Sequence, residues 1–394
     1  MKNHFAILLV TVFLNIAGFS LILPLLPFYG QYFNASPTAI AMLFAAYSFG
    51  SMFGEMYWGR LSDRIGRKPV LVITTGGAAL SYLAFAFAPS LPAAILIRVI
   101  SGFFSGTFGV VQGAIADMTP PTQRARFMGY FGAAFNLGFA TGPAIGGLLA
   151  TPDAGLAGFY LPIFTAAALA ASASIWAWIA LAETRPAHSG VKIPPSFREA
   201  ITYVGAHTLL LRLITIAFFG IAAFSSLEAI FGLWSEKHFG WNARQLGMVF
   251  LAMGATGLIM QTLLIGRLVA LFGEPRIIAL GLSILIGSML LQPLLCSPLT
   301  AVVLMATLMA GHSLAFPNAG ALVSRHTPQD RQGAVMGLNM AANAASRIVA
   351  PPFFGWIYSL SADTPFYLCA FMMLVMLCVC MTVIRDCDQE PVHG

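Results

Sequence analysis

Four ionisable residues stand inside long apolar runs of this chain: Glu55, Arg98, Glu228 and Arg347. A charge at the centre of a lipid bilayer costs roughly 2.5–3.5 kcal/mol on insertion scales, so each of them needs a partner or a task. The chemistry open to such residues is proton transfer. A low dielectric disfavours an ionised carboxylate and a nearby guanidinium favours it, and the balance leaves an acid able to take and give a proton near neutrality. Glu228, flanked by Leu227, Ala229 and Ile230, and Arg347, within Ala344-Ala345-Ser346-Arg347-Ile348, are expected to form such a couple. Glu228 would carry the proton and Arg347 would tune it; the alternative is a permanent ion pair that only orders the helices. Arg98 has a structural reading, bonded to backbone carbonyls of the first helix. Glu55, four residues before Gly59, is expected near the end of its helix, where it snorkels, joins the ion network of the next loop or serves coupling. His312 reads as a hydrogen-bonding or packing residue.

The elements that must position these residues follow from composition. Of 394 residues only 9% are charged and 58% are hydrophobic, with a mean hydropathy of +0.83. A soluble domain wets its surface with roughly a quarter of its residues charged, so this surface faces lipid. Helices of about 20 apolar residues span a bilayer, and the runs lack the two-residue alternation of barrel strands. Twelve spans are predicted, over 5–29, 38–58, 69–88, 92–116, 127–150, 158–182, 209–234, 243–266, 275–296, 299–324, 333–360 and 364–384. The first is too long for a signal peptide and carries Pro24 and Pro27. Its fold class is therefore all-α membrane protein, with bundles over 1–182 and 209–394 joined by a linker over 183–208 that holds Pro186, Pro194 and Pro195.

The bundles repeat. Ile16-Ala17-Gly18-Phe19-Ser20 corresponds to Ile221-Ala222-Ala223-Phe224-Ser225, Gly59-Arg60-Leu61 to Gly266-Arg267-Leu268, and Pro143 to Pro351. A duplicated six-helix unit of this kind places its substrate site between the halves, near the midplane. With the N-terminus inside, most Lys and Arg residues fall in cytoplasmic loops and only Lys237 and Arg244 fall outside, so both termini are expected in the cytoplasm. Five cysteines (Cys296, Cys369, Cys378, Cys380 and Cys387) show neither a CxxC pair nor zinc spacing, so no metal is expected. Phosphate-binding glycine loops are lacking, and all four lysines fall in loops, which argues against nucleotide drive and a retinal Schiff base. No nucleophile–base set within a span suggests an enzyme. The net charge of +6 sits in short loops rather than in a patch, so no nucleic-acid partner is expected.

The second loop reads Gly59-Arg60-Leu61-Ser62-Asp63-Arg64-Ile65-Gly66-Arg67-Lys68. Two glycines suit a tight turn, cations hold the loop inside, and Asp63 can cap a helix N-terminus. The run resembles the signature of the major facilitator superfamily at every fixed position. That resemblance implies a gate in which Asp63 sits against the start of the eleventh helix near Gly333, and the second Arg of the signature pairs with Asp117 at the end of the fourth. Gly138, Gly142, Pro143, Gly146 and Gly147 in the fifth span resemble the signature of the exporter branch, where close packing and a bend let one helix rock on its neighbour. Further runs, among them Arg98-Val99-Ile100-Ser101-Gly102, Ile115-Ala116-Asp117-Met118-Thr119 and Phe239-Gly240-Trp241-Asn242, resemble tetracycline-type drug–proton antiporters over nearly the whole chain. Arg98 matches the intramembrane Arg of that group, a resemblance that implies a proton-coupling or substrate-contact role for it beside the structural one. The chain departs from it at Asn15, Gly257 and Leu285, where the tetracycline type carries Asp, His and Asp.

The resemblance implies a carrier of the bacterial inner membrane, monomeric, without a cofactor and driven by the proton gradient, that exports small apolar or amphipathic compounds by alternating access. Transport of a specific metabolite or siderophore, or lipid flipping, are the alternatives. Cavity-facing helices are expected to be the first, fourth, seventh and tenth, carrying Asn15, Phe19, Phe103, Phe104, Gln112, Phe224, Phe231, His312, Phe316 and Asn318. Aromatic walls with a few amides suit adaptable apolar cargo.

Overall fold

A computed structural model describes residues 2–184, 197–295 and 297–389. The middle of the expected linker, with Arg185, Pro186, Lys192, Pro194 and Pro195, and Cys296 lie outside the described residues. No strand occurs among those described. The described residues form twelve long helices: α1 (Phe5–Tyr32), α2 (Pro37–Ile65), α3 (Arg67–Ala86), α4 (Leu91–Met118), α5 (Pro121–Leu149) and α6 (Tyr160–Ala180) in the first half. The second half holds α7 (Thr208–Phe239), α8 (Ala243–Phe272), α9 (Glu274–Leu291), α10 (Pro298–Arg325), α11 (Gln332–Leu360) and α12 (Thr364–Gln389). A short linker helix, Phe197–Ala206, precedes α7 and lies against the start of α11, where the Arg331 guanidinium stands 4.7 Å from the Tyr203 ring centre.

Ten of the twelve are apolar enough to be recognised as spans by composition alone. The other two, α5 and α11, are equally long at 29 residues each, about 43 Å of helix. They are less apolar because part of each faces the other half rather than lipid. Chain breaks follow local chemistry. Ser36, Ser90 and Ser297 cap the N-termini of α2, α4 and α10, each accepting a backbone N–H. Gly240 ends α7 in the left-handed conformation at φ 66°. Within α4 the helix is interrupted between Phe103 and Thr107, and α8 contains a π-helical turn over Met260–Leu264.

Packing divides into two bodies. One apolar core draws its buried residues only from 204–383. Two others draw on 8–181, with Ala229 and Ala243 added from across the divide. The halves meet firmly at one end. Gln31 of α1 donates to the Glu236 carboxylate of α7. A Cβ at Gly355 of α11 would stand 2.8 Å from the Pro37 carbonyl of α2. At Gly147 of α5 it would stand 2.7 Å from the Ala243 carbonyl of α8. Toward the opposite ends of the same helices, Gly59, Gly129, Gly132, Gly266, Gly333 and Gly337 meet nothing within 4 Å of such a Cβ. The molecule is closed at the Gln31 end and open at the end bearing the 59–68 segment.

Candidate transport site

The four intramembrane charges take different places. Arg98 is 1% exposed in α4. Its Nε donates to the Leu43 carbonyl of α2 at 3.2 Å, and its guanidinium lies 4.7 Å from the Tyr47 ring centre. The backbone partner is thus on the second helix rather than the first, because α2 and α4 are in close contact. A Cβ at Gly50 or Gly102 would collide with the backbone of the other helix. Tyr47 is stacked on Phe19 of α1 with ring centres 4.4 Å apart.

Arg347 is exposed on α11 and forms no ion pair or hydrogen bond among the described residues. It lies within electrostatic reach of Glu228 on α7, His312 on α10, and Glu55 and Tyr47 on α2. Helices α7 and α10 belong to the second half and α2 to the first, so the guanidinium lies where the halves face each other. The expected Glu228–Arg347 contact pair is not made: the two charges are neighbours without touching. Glu55 also departs from expectation. Helix α2 continues through Gly59 to Ile65, so Glu55 stands ten residues inside it and opens onto the same space.

The antiparallel contact of α2 with α11 extends this pattern. Gly355 lies against Pro37, Thr38 and Ala41. Continuing that register brings Tyr47 level with Arg347, Ser51 with Asn343 and Glu55 with Asn339. Each trio repeats every fourth residue, hence on one helix face. Asn339 and Asn343 both hold a buried Oδ1 without a partner. Beside the stripe, His312 packs between Phe224 and Phe316, with ring centres 4.1 and 4.8 Å away, and its buried Nε2 has no partner either.

At the open end the 59–68 segment is mostly helix. Only Gly66 turns, at φ 104°, a conformation glycine adopts without strain; Gly59 sits within α2. Arg67 pairs with Asp63 at 2.9 Å and Asp117 at 3.0 Å, and donates to Ser62 Oγ at 2.6 Å. The N-terminus of α3 is capped not by Asp63 but by Glu183, just beyond α6. Its carboxylate accepts from the Arg67 and Lys68 backbone N–H groups at 2.8 and 3.2 Å, where the helix dipole favours an anion. Arg64 lies on the wall of a surface groove with Phe53, Tyr57, Arg60 and Phe103.

In α5, Gly138, Gly142 and Gly146 face α1. A Cβ at these positions would press on Phe13, Ser20 and Leu21 respectively. Gly147 and the Pro143 carbonyl face Ala243 and Gly247 of α8. The glycine run therefore packs on two helices at once, one in each half. The seam ends at Asn136, whose amide donates to Gln261 in the π-helical turn of α8.

Several expected wall residues lie elsewhere. Phe231 is fully buried in the second-half core, stacked near Trp234 with ring centres 5.8 Å apart, because its face of α7 turns inward to its own bundle. Phe103 and Phe104 pack around Trp58, whose indole N–H donates to the Phe103 carbonyl at 2.7 Å beside the α4 break. Asn318 is buried and donates to its own helix at the Leu314 carbonyl. Asn15 is buried and Gln112 half-buried. Phe19, Phe224, His312 and Phe316 are the expected residues that stand beside the Arg347 space through the contacts above. Tyr47, Asn339, Asn343 and Glu183 were not expected. A signal for Tyr47 existed in its spacing from Ser51 and Glu55, and none existed for Glu183, which lies more than a hundred residues from its partners.

Comparison with known proteins fits this architecture. The family model described as Major Facilitator Superfamily matches residues 8–310 and 237–392. The class B tetracycline resistance protein of Escherichia coli is 29% identical over 375 residues, covering 91% of this chain and 89% of that protein. Multidrug resistance protein 2 of Bacillus subtilis (strain 168) is 26% identical over 384 residues, covering 95% and 94%. Among solved structures, a bacterial homologue of the human lysosomal transporter Spinster, in an inward-facing and unoccupied conformation, superposes with a TM-score of 0.80. It is 14% identical, with 98% of this chain and 97% of that one covered, a likeness of fold alone.

Proposed function

The chain belongs to the major facilitator superfamily, and on that premise we propose that it is a proton-coupled antiporter exporting small amphipathic compounds from a bacterial cell. It needs no cofactor and performs no covalent chemistry; the proton gradient across the inner membrane drives it. One observation carries the reading. Glu228 lies within electrostatic reach of Arg347, which has no ion pair among the described residues, and the two halves part at one end of the molecule. An acid there meets each side of the membrane in turn as the halves rock.

The excess of Lys and Arg at the open end supports a cytoplasmic location for that end and for both termini, which makes the described conformation inward-facing. Cargo enters from the cytoplasm or the inner leaflet and displaces the proton from Glu228. Closure around the 59–68 segment then turns the cavity outward. Release of cargo and uptake of a proton from outside reset the cycle. One charge crossing 100 mV is worth roughly 2.3 kcal/mol, a gradient on the order of 50-fold. Arg98 is a positioning residue, holding α2 to α4 and Tyr47 in place. Both halves of the cavity come from one chain, so a monomer suffices. The names of the two relatives support an amphipathic, drug-like cargo.

The test is proton flux in proteoliposomes on adding a panel of drugs. Wild type should release protons with cargo, and Glu228→Gln should lose pH-driven transport by about 100-fold while retaining downhill exchange. Full pH-driven transport by Glu228→Gln would remove the coupling role.

A further inference from the structure

We propose that the preferred cargo is an aromatic zwitterion, with its acid group seated on Arg347 and its ammonium group on Glu228. This rests on the antiport reading above and narrows it to a substrate class.

The argument begins with charges that lack contacts. Arg347 is exposed, with five N–H donors in a planar fork suited to an oxyanion, and none is used by another described residue. Glu228 and Glu55 likewise have neither an ion pair nor a hydrogen bond among the described residues. Glu228, Glu55, Tyr47 and His312 all lie within electrostatic reach of Arg347, and the α2–α11 register sets Tyr47 level with it. The fourth intramembrane charge, Arg98, is held by the Leu43 carbonyl and the Tyr47 ring and is closed off from cargo, its Nη1 buried without a partner.

A simple anion placed on Arg347 would meet two carboxylates, and a simple cation placed on Glu228 would meet the guanidinium. Like charges brought together in a low dielectric repel strongly. A molecule with both signs, held apart by an apolar frame, meets an opposite charge at each end. The frame also has a place. Phe224, His312 and Phe316 form an aromatic wall beside the pair. Buried, unpartnered polar atoms on His312 Nε2 and Asn343 Oδ1 offer further hydrogen bonds. Coupling follows without another component: the ammonium group and the proton compete for one carboxylate, so cargo and proton exclude each other as antiport requires.

Three probes on one naphthalene frame test this: ammonium only, carboxylate only, and both. Transport by the purified full chain in proteoliposomes is measured under a fixed pH gradient. Wild type should move the two-charge probe about tenfold faster than either single-charge probe, the scale of one charge-assisted hydrogen bond. Arg347→Gln should bring the two-charge and ammonium-only rates to near equality, and Arg347→Lys, which keeps the charge, should preserve most of the preference. Thermal unfolding of each variant shows that it is folded, and Arg347→Lys keeps the comparison open if the glutamine variant is not. Equal rates in wild type, no transport of the two-charge probe, or a preference that survives in Arg347→Gln overturns the inference. If the ammonium-only probe exchanges with protons through Glu228 but no preference appears, the substrate class fails and antiport stands. If Glu228→Gln leaves every probe driven by pH, the antiport reading itself fails.

Discussion

Two arginines stand inside the membrane-spanning part of this molecule, one in each half, and they live in opposite circumstances. Arg98 is sealed between α2 and α4, with a carbonyl on its Nε and an aromatic ring at its face. Arg347 opens onto the space between the halves, with charges around it and no contact to any of them. Residue type and membrane depth alone would assign both to function. What separates them is whether the side chain is enclosed by helices of its own half, as Arg98 is even with its buried Nη1 unpartnered. A guanidinium whose partners belong to its own half moves with that half as a rigid part. One whose charged neighbours lie on both sides feels every change in the distance between them. Only the second kind can report cargo or proton to the rocking motion.

The sharpest test of this difference replaces each arginine by methionine, which keeps an unbranched side chain and removes the charge. Exchanging a buried charge for an apolar side chain of similar volume is often neutral or stabilising. Arg98→Met should therefore fold and transport within about threefold of wild type. Arg347→Met should fold as well and lose about tenfold in transport of the two-charge probe, the scale of one charge-assisted hydrogen bond to cargo. Vesicle transport together with thermal unfolding measures both. If the two variants lose transport equally, Arg98 is a coupling residue too and the distinction drawn here is wrong.

A second test moves from charge to volume. Arg98→Ala empties a closed site between helices that are fixed by glycine contacts at Gly50 and Gly102 and cannot collapse to fill it. A large buried side chain cut to alanine in such a place costs about 2–4 kcal/mol, read as a lowered unfolding temperature in detergent. Arg347→Ala borders open space and should leave that temperature nearly unchanged. A comparable loss at both positions would mean that Arg347 is packed rather than poised.

Much of the fold was legible because its signals are long. Apolar runs, the repeat of Gly59-Arg60-Leu61 at Gly266-Arg267-Leu268, and the glycines of α5 each extend over whole helices or recur. What escaped reading depends on single contacts between distant segments. The basic, glycine-containing stretch 59–65 reads as loop, yet it stays helical because Arg67 folds back on Asp63, Ser62 and Asp117. Glu183 resembles any acid that follows a span, and only the approach of α6 to the start of α3 makes it a cap. Phe231 and Phe224 lie seven residues apart on α7, yet one is enclosed by Trp234 and the other meets His312. A pattern of apolar residues marks a helix well but does not say which face looks across the cavity. Glu228 and Arg347 were found because charge in lipid is rare; the separation between them depends on how α7 and α11 pack within the second half, which no run of residues encodes.

Tyr47 joins the two arginines and provides the finest test. Its ring lies against the Arg98 guanidinium, stacks on Phe19 of α1, and stands in electrostatic reach of Arg347. If the ring face holds Arg98, then Tyr47→Phe should match wild type in thermal stability, and Tyr47→Leu should lose about 1 kcal/mol, the usual worth of a cation–π contact away from full solvent. If the hydroxyl instead matters to Arg347, Tyr47→Phe should leave stability intact and change the preference for the two-charge probe over the ammonium-only one. The two outcomes are separable because one is read in unfolding and the other in transport selectivity. The geometry favours the first. Arg98 has no carboxylate partner among the described residues; the Tyr47 ring and the Leu43 carbonyl compensate its burial in part, and its buried Nη1 has no partner. The phenol of Tyr47 acts on Arg347 only across the gap. A loss of stability in Tyr47→Phe as large as in Tyr47→Leu would show that a hydrogen bond rather than the ring fixes Arg98, and would place both arginines under one polar network instead of two separate regimes.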